Sequence, residues 1–416
     1  MWTCGSRARR PRRPPGSPDG TPITADLAPL ARRSGRAVEL DVRTNSLNLI
    51  RLALALLVLV AHGFYLSGAG TGPSLQGENL GGWAVFGFFT ISGYLITASR
   101  FANPLGRYLV LRIARIYPAF LVCLVVTAGV FAPIAWAAEG RDWSAFLTTP
   151  TTPTAYVIEN LGLRVNAYDV AGTPSAVPYP GAWNGSLWTL FFEFCCYLLV
   201  GLLICLPVVR RHRWIVAVGF ALSVLAWATV DAWGPGAYPD LVLLARLLPA
   251  FLGGALVQVA IRWVPLRTPI ALGAVVVAAV LVLTVAHWGA QVASPLIAYV
   301  LLWLSTVVPA PAVSRRHDIS YGVYIYAFPL QQLLVYAGAH RLGLVAYDVL
   351  AALATAVVAV VSWRLVERPA LHWARHRFRS PATMSTEGDR VVQERPDGAP
   401  PAARDDAGQQ AHRVRP

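Results

Sequence analysis

The chain has 416 residues, of which 56% are hydrophobic and only 13% charged, whereas a soluble protein carries about a quarter charged residues. Its 35 basic residues are all arginine and outnumber 21 acidic ones, for a formal net charge of +14. The apolar residues come in blocks of about 18–22 with short arginine-bearing connectors, which excludes a soluble globular protein and predicts an all-α, polytopic transmembrane bundle. Nucleic-acid binding is excluded too, because the arginines sit in tails and alternate connectors and not on one face.

Residues 1–45, with the run SRARRPRRPPGSPDG, have no apolar period and read as a disordered basic arm. They lack the charged-then-apolar order of a cleaved signal peptide. Residues 46–370 form the transmembrane domain, with spans expected at about 47–66, 83–99, 117–137, 186–206, 214–231, 239–260, 269–287, 292–309, 319–338 and 344–363. Residues 371–416 form a second arm, expected to be disordered. One set of connectors holds Arg100, Arg107, Arg112, Arg115, Arg210, Arg211, Arg213, Arg262, Arg267, Arg315 and Arg316, and the other only Arg141, Arg164 and Arg341. This bias predicts about ten spans with both termini in the cytoplasm of a plasma membrane, most simply a bacterial one. The long outer connector, 138–185, is rich in Pro, Thr, Trp and Tyr and is expected to be partly ordered, as a cap over a cavity. The five cysteines (Cys4, Cys123, Cys195, Cys196, Cys205) lack metal or disulfide spacing and read as small packing residues. No metal and no bound cofactor is expected.

Ionisable groups at membrane depth are costly and mark candidate sites. In span 1, His62 lies about 6 Å inside the outer end, and Arg51 lies three turns earlier on nearly the same face. A neutral imidazole suits a general base. Arg51 either snorkels to the inner interface or contacts a ligand. Span 2 carries Ser92-Gly93 near its centre, which reads as close packing or a break around a ligand. The amphipathic segment Gly106–Pro118 carries Arg107, Arg112 and Arg115, which would contact anionic lipid or clamp the phosphates of a cosubstrate. Span 4 (GSLWTLFFEFCCYLLV) has a polar stripe of Ser186, Thr189, Glu193 and Tyr197, with Trp188 beside it. Arg246 in span 6 lies at a depth comparable to Glu193, so a buried ion pair between them is expected. In span 9, Tyr321, Tyr324, Phe328 and Gln331 share one stripe, which either lines a cavity or packs.

Together these motifs resemble the acyltransferase 3 family of integral-membrane O-acyltransferases. The matches, in the family's order, are Arg51 with His62, FFTISGYL (Phe88–Leu95), RIARIYP (Arg112–Pro118), SLWTLFFE (Ser186–Glu193), SYGVYIYAFP (Ser320–Pro329) and VERP (Val366–Pro369). The resemblance covers about 45–370 and departs at Ala327, where many members have histidine. The Tyr-Ala-Phe-Pro form is similar to a subgroup that includes macrolide-modifying acyltransferases. What the resemblance implies is acyl transfer, most simply acetyl, from cytoplasmic acyl-CoA to a hydroxyl of a carbohydrate or glycosylated small-molecule acceptor. His62 and Glu193 would be catalytic, and Arg51, Arg107, Arg112, Arg115, Ser92, Trp188, Arg246, Tyr321 and Tyr324 would bind substrates. A covalent acyl-enzyme on Ser92 or His62 stays open. No hydrolase-like domain follows the last span, so any periplasmic partner would be a separate chain. The competing class is a transporter or flippase, against which stands the lack of an internal repeat.

Overall fold

The computed structural model describes residues 45–377 apart from 235, 237, 310 and 312–316. The N-terminal arm, the C-terminal arm beyond Arg377, Cys4, Arg315 and Arg316 therefore lie outside the described residues. The chain order is α1 (Leu47–Leu66), a hairpin of β1 (Ser74–Leu75) and β2 (Glu78–Asn79), α2 (Leu80–Ala102), α3 (Leu105–Ala138), α4 (Pro153–Asn160), α5 (Thr189–Leu203), α6 (Ile215–Ala228), α7 (Pro239–Ala260), α8 (Thr268–Thr284), α9 (Gly289–Val307), α10 (Ser320–Tyr336) and α11 (Leu344–Arg377). By length and composition α1, α2, α3, α7, α9 and α11 can cross a membrane. The other segments expected as spans are helical but shorter, at 15 residues in α5, 14 in α6 and 17 in α8 and α10. Among the described residues, six helices thus have the length and composition to cross a membrane by themselves.

Successive helices run up and down, which sorts their ends into two groups. At one end the backbone amide and hydroxyl of Ser46, before α1, both donate to the carbonyl of Ser305 near the end of α9. There too the Arg100 guanidinium, on the last turns of α2, donates to the Gly201 carbonyl of α5. We call this the arginine end. At the other, the hairpin end, Asn79 caps α2 by accepting from the Gly82 amide at 2.8 Å, which satisfies one orphan donor of the first turn.

Two expected boundaries are corrected. Span 3 is expected at about 117–137, yet α3 starts at Leu105 and runs through Pro118 for 34 residues. Proline is tolerated inside membrane helices where neighbours re-satisfy freed carbonyls, and the Tyr321 hydroxyl donates to the Ile116 carbonyl close by. The last span was expected to stop near 363, but α11 continues to Arg377, so the first residues assigned to a disordered tail are helical. Both long helices widen into a π turn, at Thr127–Phe131 and Trp363–Glu367, two residues before Pro133 and Pro369. A wider turn absorbs the carbonyl clash and missing donor that a proline imposes.

The segment 138–185 is ordered, as expected of a cap. Its α4 begins with Thr152 accepting from the Ala155 amide ahead of Pro153. Trp183 is fully buried and donates to Thr173. The cap is tied to α10 by Gln332, which donates to the carbonyls of Tyr179 and Ala182, and to α3 by Asn184, which donates to Thr127 in the π turn.

The tightest helix crossing is between α2 and α7. A Cβ on Gly93 would lie 1.8 Å from the Phe251 carbonyl oxygen, and one on Gly254 would lie 1.9 Å from that of Thr90. Small residues are what let membrane helices approach this closely, so Gly93 is a packing residue, as one of the two readings of Ser92-Gly93 held. Replacing Gly93 by valine should lower thermal stability in detergent by about 1–3 kcal/mol or more, since backbone must move. Gly106→Ala, where a Cβ meets nothing within 4 Å, should leave the denaturation midpoint unchanged.

Candidate active site

At the hairpin end a cavity of about 570 Å³ opens between the last turns of α1, the hairpin, and the starts of α2, α5 and α9. It collects His62, Trp188, Arg246 and Tyr324 from the expected site, with Ser186 and Thr189 from the polar stripe. His62 is buried, and its Nδ1 has no hydrogen-bond partner among the described residues. Its imidazole is held edge-on by Phe328 at 5.1 Å and Tyr65 at 5.6 Å between ring centroids. Phe328 reaches this position because residue 185 is glycine; a Cβ there would meet its ring at 2.4 Å. Tyr324 donates to the Ser186 carbonyl at 2.8 Å and shares a 2.5 Å hydrogen bond with Thr189, which fixes the cavity wall between α10 and α5.

Arg246 does not pair with Glu193. Its guanidinium pairs with Glu78 of the hairpin. The reason is local supply: Glu78 lines the same cavity as Arg246, while Glu193 faces α2 and is taken up by hydroxyls. Glu193 Oε1 accepts from Ser92 at 2.7 Å and from Tyr197 at 2.6 Å. Partial burial raises the Glu78 carboxyl above its ordinary value, and the Arg246 charge offsets only part of that. Glu78 was missed by sequence reasoning. It lies outside any span, and only the fold carries it to Arg246.

The remaining expected residues gather at the arginine end. Asp318, just before α10, accepts from Arg51 at 2.5 Å and from Arg115 at 2.6 Å on one carboxylate oxygen. Its other oxygen accepts from Ser320. Arg115 also reaches Glu367 at 3.3 Å and lies over the rings of Tyr321 and Trp363. Burial pushes the Asp318 carboxyl up, but the two guanidiniums and Ser320 outweigh it and hold the pKa down to about 2. Arg51 is therefore not a snorkelling residue, and Arg51 and Arg115 are ion-paired. Arg107 and Arg112 make no ion pair among the described residues, and each keeps a buried Nε without a partner. Tyr321 belongs to this cluster and not to the cavity, so the stripe expected on α10 divides: Tyr324 lines the cavity, Phe328 packs on His62, and Gln331 donates to the Leu59 carbonyl. Arg51 and His62, eleven residues apart, are separated by about 16 Å along α1.

Asp318 and Glu367 were also missed, although a signal existed. Arginines at membrane depth need carboxylates, and the acidic residues bordering spans 9 and 10 are natural suppliers.

A sequence profile of the Acyltransferase domain, the acyltransferase 3 family, matches residues 44–364. The chain belongs to this family. It is 30% identical to the O-acetyl transferase of Shigella phage Sf6 over 78% of this chain and 96% of that protein. It is 26% identical to Nodulation protein 10 of Rhizobium leguminosarum bv. viciae over 79% of this chain and 93% of that one. No solved structure matches the chain. The molecule is thus a membrane O-acyltransferase, and the resemblance read from its motifs holds.

Removing the Asp318 carboxylate from this acyltransferase would leave the largely buried Arg51 guanidinium without its carboxylate and Arg115 with Glu367 alone. Asp318→Ala should cost about 3–5 kcal/mol of stability. Because the folded pKa lies below the ordinary value of 3.8, the stability that Asp318 contributes is complete above about pH 4 and is lost only as pH falls towards 2. Thermal denaturation of the wild type should show no loss attributable to this group between about pH 5 and 8, and a midpoint that shifts with Asp318→Ala but not with pH across that range would bear this out.

Proposed function

We propose that this O-acyltransferase moves an acyl group, acetyl in the first place, from acyl-CoA to a hydroxyl of a sugar-containing acceptor held in the cavity at the hairpin end, with His62 as general base. The observation that carries the reading is a buried imidazole nitrogen without an intramolecular partner, on a ring clamped by Phe328 and Tyr65 at the wall of a cavity large enough for a sugar. Small-molecule sites have volumes of about 300–1,000 Å³. The printed name of the phage relative, O-acetyl transferase, supports the acetyl group.

In the proposed step the acceptor oxygen attacks the thioester carbonyl as His62 takes its proton. The new C–O bond forms, the C–S bond breaks, and the proton passes to the departing CoA sulfur. Trp188 would pack on the sugar face, and Tyr324 and Arg246 would set the cavity's shape and polarity. Arg112, with Arg107, supplies the free guanidinium charge for CoA phosphates at the arginine end, while Arg51 and Arg115, already paired with Asp318, hold the helices that present it. Glu193, hydrogen-bonded to Ser92 and Tyr197 between the two ends, would line the route of the pantetheine arm. We place the arginine end at the cytoplasmic face of a bacterial plasma membrane, with both termini on that side, because the basic connectors lie there.

Membranes carrying His62→Ala at normal abundance should lose transfer from acetyl-CoA by about 10²–10⁴, the scale of general-base assistance, measured as free thiol released with a sugar acceptor; near-full activity would sink the assignment. Arg112→Ala should raise the KM for acetyl-CoA by about tenfold or more, a charge-assisted phosphate contact being worth about 1.5–3 kcal/mol, with little change in the KM for acceptor. Equal effects on both substrates would remove Arg112 from the CoA site.

A further inference from the structure

The two nitrogens of the His62 imidazole have different surroundings. Nδ1 is sealed from solvent and has no partner among the described residues, while the residue as a whole lines the cavity. Nε2 is therefore the nitrogen that can meet an acceptor hydroxyl. A neutral imidazole that acts through Nε2 carries its resting proton on Nδ1, and which nitrogen is protonated is set by the hydrogen bond the other one makes. Such a tautomer needs an acceptor for Nδ1–H.

The seam between α1 and α10 holds one. Among the described residues, the sealed side-chain atoms without partners on these two helices are His62 Nδ1, Gln331 Oε1 and Gln332 Oε1. Gln332 is turned to the cap, where its Nε2 donates to the Tyr179 and Ala182 carbonyls. Gln331 is fully buried and turned to α1, where its Nε2 donates at 3.0 Å to the Leu59 carbonyl, about one turn before His62. That bond fixes the amide orientation, because two carbonyl oxygens cannot bond each other, and it leaves Oε1 an acceptor without a donor. Helical side chains lean towards the N-terminus of their helix. The Gln331 amide therefore lies over the turn that carries Phe328, whose ring is held against His62 at 5.1 Å. From α11 the Tyr347 hydroxyl donates to the Gln331 carbonyl at 2.9 Å and pins its backbone. A buried donor and a buried acceptor on one seam are each costly unpaired, and side-chain rotation that joins them satisfies both.

We propose that Gln331 is a positioning residue for the base: its Oε1 accepts from His62 Nδ1–H and holds the tautomer whose Nε2 is free towards the cavity. The proposal rests on the reading of His62 as general base and says which nitrogen acts. In the transfer step Nε2 takes the proton of the acceptor hydroxyl as the C–O bond forms and the C–S bond breaks. Nδ1–H stays on Gln331 Oε1 throughout, and Nε2 then gives its proton to the departing CoA sulfur. Gln331 touches neither substrate.

The test is solid-state NMR of the full chain in lipid bilayers with nitrogen-15-labelled histidine. Of the eight histidines, His62 is identified as the one whose signals vanish in His62→Ala. At about pH 8, above the ordinary imidazole range, it should show a protonated Nδ1 and an unprotonated Nε2. This measurement needs no variant at position 331, and a wild-type His62 with its proton on Nε2 overturns the proposal. In Gln331→Met, which keeps the length of the side chain and removes the acceptor, the signals should move to a mixture of both tautomers. There kcat should fall about 10–100-fold, short of the full 10²–10⁴ of general-base assistance because part of the imidazole still offers a free Nε2. The KM values for acetyl-CoA and for the sugar acceptor should stay unchanged, as expected when only transition-state stabilisation is lost. Gln331→Glu, whose protonated carboxyl keeps a donor for Leu59 and an acceptor for Nδ1, should restore the tautomer and most of kcat. A folded Gln331→Met protein with the tautomer and kcat of the wild type also overturns the proposal. The two readings fail separately, since a fully active His62→Ala protein sinks the general base and leaves the Gln331–His62 hydrogen bond to be read from the spectrum.

Discussion

A guanidinium surrounded by hydrocarbon must find a carboxylate, and in this molecule one carboxylate serves two. Asp318 joins Arg51 of α1 to Arg115 of α3, and Arg115 continues to Glu367 of α11. The ion-pair chain thus fixes α1, α3 and α11 around the start of α10. Its cost is the desolvation of four charges, which only close geometry and extra donors such as Ser320 offset. Its consequence is register. α10 is buried along almost its whole length, and it can thread between the other helices only if its first turn is pinned. Once Asp318 is placed, Tyr324 and Phe328 fall about two and three turns deeper, where they meet Ser186, Thr189 and His62.

Polar groups inside the bundle are thus distributed in three layers. The arginine end holds the ion-pair chain and two guanidiniums with unpartnered Nε atoms. The middle holds Glu193 with the hydroxyls of Ser92 and Tyr197. The hairpin end holds the cavity with His62 and the Glu78–Arg246 pair. Arg112 lies near Arg115 of the first layer and Tyr197 of the second.

Most of the helical architecture was legible in the sequence because apolar block length and the positions of the arginines are one-dimensional signals. The bounds of α1 and α7 coincide with expectation for that reason. Apolar block length alone read two helices too short: α3 begins at Leu105, ahead of the expected span, and α11 runs on through the π turn Trp363–Glu367 to Arg377. Of the expected site, His62, Trp188, Arg246 and Tyr324 do meet at one cavity. Depth was a poor guide to partnership, however. Glu193 and Arg246, expected at comparable depth, turn towards different neighbours, and the carboxylates that matter to the arginines, Glu78, Asp318 and Glu367, lie in a hairpin, a connector and a π turn. Hydropathy registers such segments only as interruptions. Their pairing is a three-dimensional fact.

Ala327, where many family members have histidine, acquires a location from the fold. Its methyl packs with Leu59 of α1 and Ala351 of α11 in a small apolar cluster, on a face of α10 distinct from the one that lines the cavity. One turn on, Gln331 donates to the Leu59 carbonyl, so a polar side chain of α10 already ties this interface to α1. A histidine at position 327 would add an imidazole among α1, α10 and α11, where small residues now allow close contact. The imidazole that lines the cavity comes from α1, and the contribution of α10 to that chamber is steric and hydrogen-bonding, through Phe328 against His62 and Tyr324 against Ser186 and Thr189.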